Sequence, residues 1–263
     1  MEIAVDGATA HVDDGPGAGQ SAPAVLLVHR AGQAGVVWSE QVSALDSAGR
    51  RPLAVDLPGH GQSQGKPPAS IADGADWCFR LLDALAVEAA AVAGFSTGAL
   101  MALEMAARAP ERVRSLALCG VAARMPVHPK LLGLAEANDP EAVELIGRWG
   151  HENPDLSAET IALMTSAGPG VVHAGLKSCD DYKTALDAAG CVACPTVLVL
   201  GEKDLMTPPE GAAPLADALT DARTVPPAGL RPHDDDRGVR AGIGGTAGSL
   251  LSESDGRCSK TTG

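Results

Sequence analysis

Hydrophobic positions along this chain change period several times, and each change marks an element. Over the first twelve residues apolar and polar positions alternate in "EIAVDGATAHV", with Asp6-Gly7 as turn chemistry, which predicts a β-hairpin. "AVLLVH" at 24–29 is a continuous apolar run of strand length, the pattern of a strand buried on both faces. Val37, Trp38, Val42 and Leu45 then fall at helical spacing, predicting a helix over 36–48. "RPLAVD" (51–56) reads as the next strand, and "SIADGADWCFRLLDALA" (70–86) as a helix opened by Ser70 as N-cap. A short strand at 89–94, a long helix at 96–109 closed by Pro110, and a strand at 112–120 complete this stretch.

Strands alternating with helices over short links mean βαβ units, so the expected fold class is α/β, with a mostly parallel central sheet and helices on both faces. The alternation stops after Gly120. From 121 to about 190 only helical patterns occur, broken by Pro126, Pro129, Pro140, Pro154 and Pro169, before the strand "PTVLVLG" (195–201) resumes the sheet. A helix near 209–219 and a short strand "ARTV" (222–225) follow. The expected division is a core in two parts, 1–120 and 191–225, with a helical cap at 121–190. Residues 226–263 hold eight glycines and no sustained period, and read as a disordered or aberrant tail.

Composition narrows the function. Aromatic residues make up only 2% of the chain, so the core is built from Ala, Val and Leu, and no aromatic platform for stacking bases is available. With 20 Lys and Arg against 33 Asp and Glu, the formal charge of −13 repels phosphate backbones and anionic membranes. Neither nucleic acid nor a membrane is an expected partner. No run approaches the roughly 18 apolar residues of a membrane span, and the N-terminus lacks a signal-peptide core, so a cytoplasmic location is expected. Cysteines 78, 119, 179, 191, 194 and 258 show no zinc spacing, and the lone Cys191-x-x-Cys194 lacks a following helix that would activate it; spectator thiols are expected.

The candidate chemistry centres on "AGFSTGA". Gly94-Phe95-Ser96-Thr97-Gly98 is a G-x-S-x-G between a short apolar strand and a helix, where a sharp turn holds the serine in a strained conformation at the sheet's C-terminal edge. Glycines two residues either side remove side chains that would collide. The turn also sets Ser96 at a helix N-terminus, whose free N–H groups favour negative charge on an attacked carbonyl oxygen. A plain N-cap serine is the competing reading.

"LLVHRAGQAGVVW", "AVDLPGHGQSQG", "AGFSTGALMALEMAARAPERVRSLAL" and "PTVLVLGEKDLMTPP" resemble, in order and spacing, the marker segments of the α/β-hydrolase family, in its esterase-like branch with a helical cap. The resemblance covers residues 1 to about 225. It implies that Ser96 is the nucleophile, within an elbow formed with Gly94, Phe95 and Gly98. It also implies an oxyanion hole made by the backbone N–H groups of Thr97 and Ala31, with no cofactor or metal, acting on a small ester-like molecule. The family has His-Gly where this chain has His29-Arg30, so Arg30 either points to solvent, is simply tolerated or reshapes the oxyanion pocket. His29 and His60 read as braces of their loops. His128, His151 and His173 fall in the cap, and His11 in the first hairpin.

A serine hydroxyl needs an imidazole to take its proton, and the imidazole needs a carboxylate to fix its tautomer. Asp204, just past a strand in the family's G-x-x-D position, is the expected acid, with Glu202 the weaker choice. Chain order in this fold is serine, acid, histidine, so His233 is the remaining base. Its setting, "LRPHDDDRGV", departs from the family's Gly-His before a terminal helix. One permitted coding of Pro227 to Gly238, read from its second nucleotide, gives Leu-Pro-Ala-Cys-Gly-His-Met-Met-Met-Ile-Glu, which resembles the missing ending. A frame slip near Val225 or Pro226 is therefore expected, with the intended imidazole near Pro232 and His233 its out-of-frame neighbour. Codons at Asp234 to Asp236 ending in C instead of T would overturn that reading. The functions left open are hydrolysis of a carboxylic ester or lactone, cleavage of a thioester or C–C bond on the same triad, and an inactive binding scaffold with a misplaced base.

Overall fold

The computed structural model describes residues 1–17, 19–150, 154–201 and 204–225. Strands β1 (Glu2–Val5) and β2 (Ala8–Asp13) form the predicted hairpin, antiparallel about Asp6 and Gly7, both at positive φ (53° and 78°). That pair of angles is what a tight two-residue hairpin turn requires. Strands β3 (Ala24–Val28), β4 (Arg51–Val55), β5 (Ala90–Phe95), β6 (Val113–Cys119), β7 (Thr196–Val199) and β8 (Ala222–Val225) run parallel to one another beyond it. The sheet order is β1-β2-β4-β3-β5-β6-β7-β8.

Unbroken apolar runs in the central strands follow from burial on two faces. Val25 and Leu27 of β3 pack with Val37, Trp38, Val42 and Leu45, which come from a 3-10 turn at Gly35–Trp38 and helix α1 (Ser39–Ser47). Their neighbours Leu26 and Val28 point the other way, into a larger core shared with α2 (Ile71–Ala84), α3 (Thr97–Arg108) and α9 (Pro209–Ala218). A period-two strand covered on both sides has no polar face left to show. Ser70 caps α2 as expected, its hydroxyl accepting from the Asp73 N–H. The first turn of the helix expected at 36–48 is instead 3-10, tightened where Gly35 packs against the Ala54 carbonyl.

Between β6 and β7 lie α4 (Pro129–Glu136), α5 (Pro140–Gly150), α6 (Pro154–Thr165), α7 (Val171–Asp181) and α8 (Ala185–Cys191). Leu131, Leu145, Ile146, Met164 and Leu176 form a separate apolar cluster among α4 to α7. Each large aliphatic buried there contributes roughly 1.5–3 kcal/mol. Helix α8 is different: Ala185, Ala188 and Ala189 join the main core.

Topology fixes where a site forms. From β3 the chain passes by α1 to β4 on one side, whereas from β5 it passes by α3 to β6 on the other. The loops leaving β3 and β5 therefore diverge at their C-terminal ends and open a crevice between them.

Candidate active site

Ser96 stands between β5 and α3 with φ 54° and ψ −114°, a conformation that costs a non-glycine residue about 1–3 kcal/mol. The surroundings force it. Ser96 N–H donates to the Cys119 carbonyl at 2.9 Å, while its own carbonyl accepts from Ala99 and Leu100 N–H. A Cβ on Gly94 would lie 2.1 Å from the Gly98 carbonyl oxygen, and one on Gly98 would lie 2.3 Å from the Val28 oxygen. Backbone packs on backbone at both points, so the two glycines are steric requirements of the bend. Thr97 is the first residue of α3, and its N–H has no intrahelical acceptor.

A cavity of about 760 Å³ opens above this bend. Ser96, Thr97, Phe95, Ala31, Arg30 and Asp204 all line it, so residues singled out from three sequence segments share one space. Gly94 and Gly98 lie beneath as structural supports. Its apolar wall is made by Val37 and Trp38 from the core and by Leu131, Ile146, Leu156 and Met164 from the inserted helices.

Asp204 follows β7 and is held firmly. Its Oδ1 accepts from Met206 N–H at 2.8 Å and Thr207 N–H at 2.9 Å, and its Oδ2 accepts from the Thr207 hydroxyl at 2.6 Å. Sequence reading missed Thr207, although Asp-x-x-Thr ahead of two prolines is the spacing at which an aspartate collects local donors. His233, Pro232 and Glu202 lie outside the described residues, as does His151.

The loop after β3 is braced from below. His29 is fully buried; its Nδ1–H donates to the Arg30 carbonyl at 2.8 Å and its Nε2 accepts Leu57 N–H at 3.0 Å. Burial, with His60 nearby, lowers its pKa to about 3, so it stays neutral and both ring nitrogens are committed. His60 is also lowered by burial and contacts the Pro58 carbonyl. Asp56 ties this region together, accepting from Gly35 and Gln62 N–H. His11 Nδ1 lies 3.2 Å from Asp56 Oδ2. His128 caps α4 and lies at the cavity's exposed side.

Arg30 does not point to solvent. Only 6% exposed, it lines the cavity with its guanidinium carbon 5.3 Å from the Phe95 ring centroid. Two close contacts set the inserted helices on the same loop. A Cβ on Gly175 of α7 would fall 2.4 Å from the Ala31 Cβ, and one on Gly32 would fall 2.7 Å from Val172. Cys179 of α7 meets the Thr97 hydroxyl at 3.1 Å, its thiol pushed up to about 11 by burial. The Cys194 thiol is likewise pushed up to about 11 by burial, and Cys191 and Cys194 are free. Among the described residues no helix is long and apolar enough to cross a membrane.

A mostly parallel sheet, eight-stranded among the described residues, with a strained serine at the β5–α3 bend defines an α/β-hydrolase, and residues 23–169 match the family described as alpha/beta hydrolase fold. The chain belongs to that family. It is 32% identical to the putative carbamate hydrolase RutD of Azorhizobium caulinodans over 224 residues, covering 78% of this chain and 82% of that one. It is also 32% identical to the pimeloyl-[acyl-carrier protein] methyl ester esterase of Neisseria meningitidis serogroup B over 193 residues, covering 65% and 71%. Among solved structures, the enol-lactonase of Burkholderia xenovorans LB400 superposes with a TM-score of 0.82 at 25% identity, covering 97% of this chain and 99% of that one.

Proposed function

We propose that the protein is a serine hydrolase of carboxylic esters or lactones, working through an acyl-enzyme on Ser96. The observation that carries this reading is the serine at φ 54° on a helix N-terminus, opening into the same cavity as Asp204. Relatives named as a methyl ester esterase and an enol-lactonase support the same bond type.

In this mechanism Ser96 Oγ attacks the acyl carbon while its proton passes to an imidazole. Chain order assigns that base to His233, with Asp204 holding its tautomer. The carbonyl electron pair moves onto oxygen, which the N–H groups of Thr97 and Ala31 stabilise; two such donors supply several kcal/mol, at about 2.7–4 kcal/mol for each one removed. Collapse expels the alcohol, which takes the proton from the imidazolium, and leaves the acyl group on Oγ. Water then repeats the sequence in reverse, releasing the acid and restoring the hydroxyl.

Labelling by a fluorophosphonate tests the reading directly. It is expected at Ser96, and turnover of p-nitrophenyl acetate is expected to vanish in Ser96→Ala. Well-folded protein that takes no label would instead be the folded binding scaffold.

A further inference from the structure

Two residues past Ala31, the loop after β3 carries a carboxamide that the fold leaves unengaged. Gln33 N–H donates to the Arg30 carbonyl at 3.2 Å, closing a turn whose third residue, Gly32, has φ 69°. The same carbonyl is held by His29 Nδ1 at 2.8 Å, so the backbone of Gln33 is anchored to a buried brace. Gln33 is only 4% exposed and lines the cavity, in one wall with Val37, Trp38, Ile146 and Met164. Among the described residues no hydrogen bond reaches its Oε1 or Nε2, and neither atom is sealed away from the cavity. Packing alone favours an apolar side chain of that size there, because a carboxamide that loses water without gaining a partner is penalised.

Resting on the hydrolase reading, we propose that Gln33 selects esters or lactones whose carbon chain carries a hydroxyl group. A hydroxyl holds donor and acceptor on one atom, so it can donate to Oε1 or accept from Nε2 whichever way the carboxamide is turned. An ionised group would gain no opposite charge from this neutral amide. A plain alkyl chain entering the cavity displaces water from the carboxamide and returns no bond. Sites built to hydrogen-bond a substrate hydroxyl reject the analogue that lacks it, because the protein's own polar group is then stranded. The apolar side chains around Gln33 accept the methylenes on either side of the hydroxyl.

Binding is read on the full chain carrying Ser96→Ala, so that no turnover intervenes. The probes are methyl octanoate and its monohydroxylated derivatives, with the hydroxyl near the ester, mid-chain or at the far end. Calorimetry is expected to find at least one hydroxylated ester bound roughly five- to hundredfold more tightly than methyl octanoate, the range separating a buried polar group with its partner from one without. Gln33→Met keeps the length of the side chain and deletes its polar end; it weakens binding of that ester and tightens binding of methyl octanoate. Methyl octanoate bound as tightly as every hydroxylated ester overturns the proposal without needing any variant to fold, as does a hydroxyl preference that survives Gln33→Met. Fluorophosphonate labelling of Ser96 in the unaltered protein separates the two readings. Labelling without hydroxyl preference leaves the hydrolase and removes the role of Gln33; hydroxyl preference without labelling leaves Gln33 as a binding residue and removes the hydrolysis.

Discussion

The Thr207 hydroxyl donates a 2.6 Å hydrogen bond to Asp204 Oδ2, while the Thr207 N–H holds Oδ1 of the same carboxylate. One residue thus grips both oxygens, and the orientation of the acid depends on a side chain that is itself buried. Thr207→Val keeps the shape and deletes one charge-assisted bond, at a cost of about 1.5–3 kcal/mol. Turnover number is expected to fall by roughly tenfold or more with KM little changed, and Thr207→Ser to restore most of it. A Thr207→Val enzyme with unaltered kcat would remove Thr207 from the positioning of Asp204.

Backbone strain at Ser96 has a thermodynamic signature separate from catalysis. Glycine adopts φ 54° without the steric penalty that a Cβ carries. Ser96→Gly is expected to unfold at higher denaturant than Ser96→Ala, by about 1 kcal/mol or more, although both are expected to be inactive. A Ser96→Gly protein less stable than Ser96→Ala by the roughly 0.5–1 kcal/mol that glycine loses through the unfolded chain would mean that the bend stores no strain.

Gly98 is a steric lock between β3 and α3. A methyl group there would sit 2.3 Å from the Val28 oxygen and 2.6 Å from the His29 oxygen, both main-chain atoms that cannot swing aside. Gly98→Ala is expected to destabilise by about 1–3 kcal/mol and to displace the serine, so fluorophosphonate labelling slows even in the folded fraction. The control Gly133→Ala, an exposed position inside α4 where a Cβ meets nothing within 4 Å, leaves labelling unchanged and stabilises by about 0.5–1 kcal/mol.

Acid sensitivity follows from His29. Its folded pKa of about 3 lies below the unfolded value of 6.5 because burial disfavours the cation. Between those values the unfolded chain binds the extra proton, so this contribution is complete above pH 6.5 and is lost as pH falls toward 3. His60, lowered for the same reason, adds in the same direction. Denaturation midpoints measured from pH 7.5 down to pH 4 are expected to drop steeply, and His29→Gln to flatten that slope while lowering the neutral-pH plateau. An unchanged slope in His29→Gln would assign acid loss to other groups.

The strands were legible because burial on two faces leaves short unbroken apolar runs: "AVLLV" has no polar residue to give a helix an outer side and is too short for a buried helix. The bend at Ser96 was legible for a related reason, since two glycines flanking a serine between strand and helix leave few alternatives. Arg30 was not. Its backbone position could be read, but the direction of a long side chain depends on Phe95 and the end of α5, which lie far away in sequence. Helix α8 falls at the end of the stretch expected to be helical, and it is its packing that puts Ala185 and Ala189 in the main core. His233, expected as the base, falls outside the described residues.

Helix α7 meets the β3 loop almost skin to skin, Gly175 against Ala31 and Val172 against Gly32. Reshaping α7 therefore disturbs the loop proposed to hold the reacting oxygen, whereas the described residues of α5 and α6 reach the cavity as wall, through Ile146, Leu156 and Met164. A laboratory campaign to alter substrate range has its freedom in those two helices, and libraries directed at α7 would be filled mostly with dead clones.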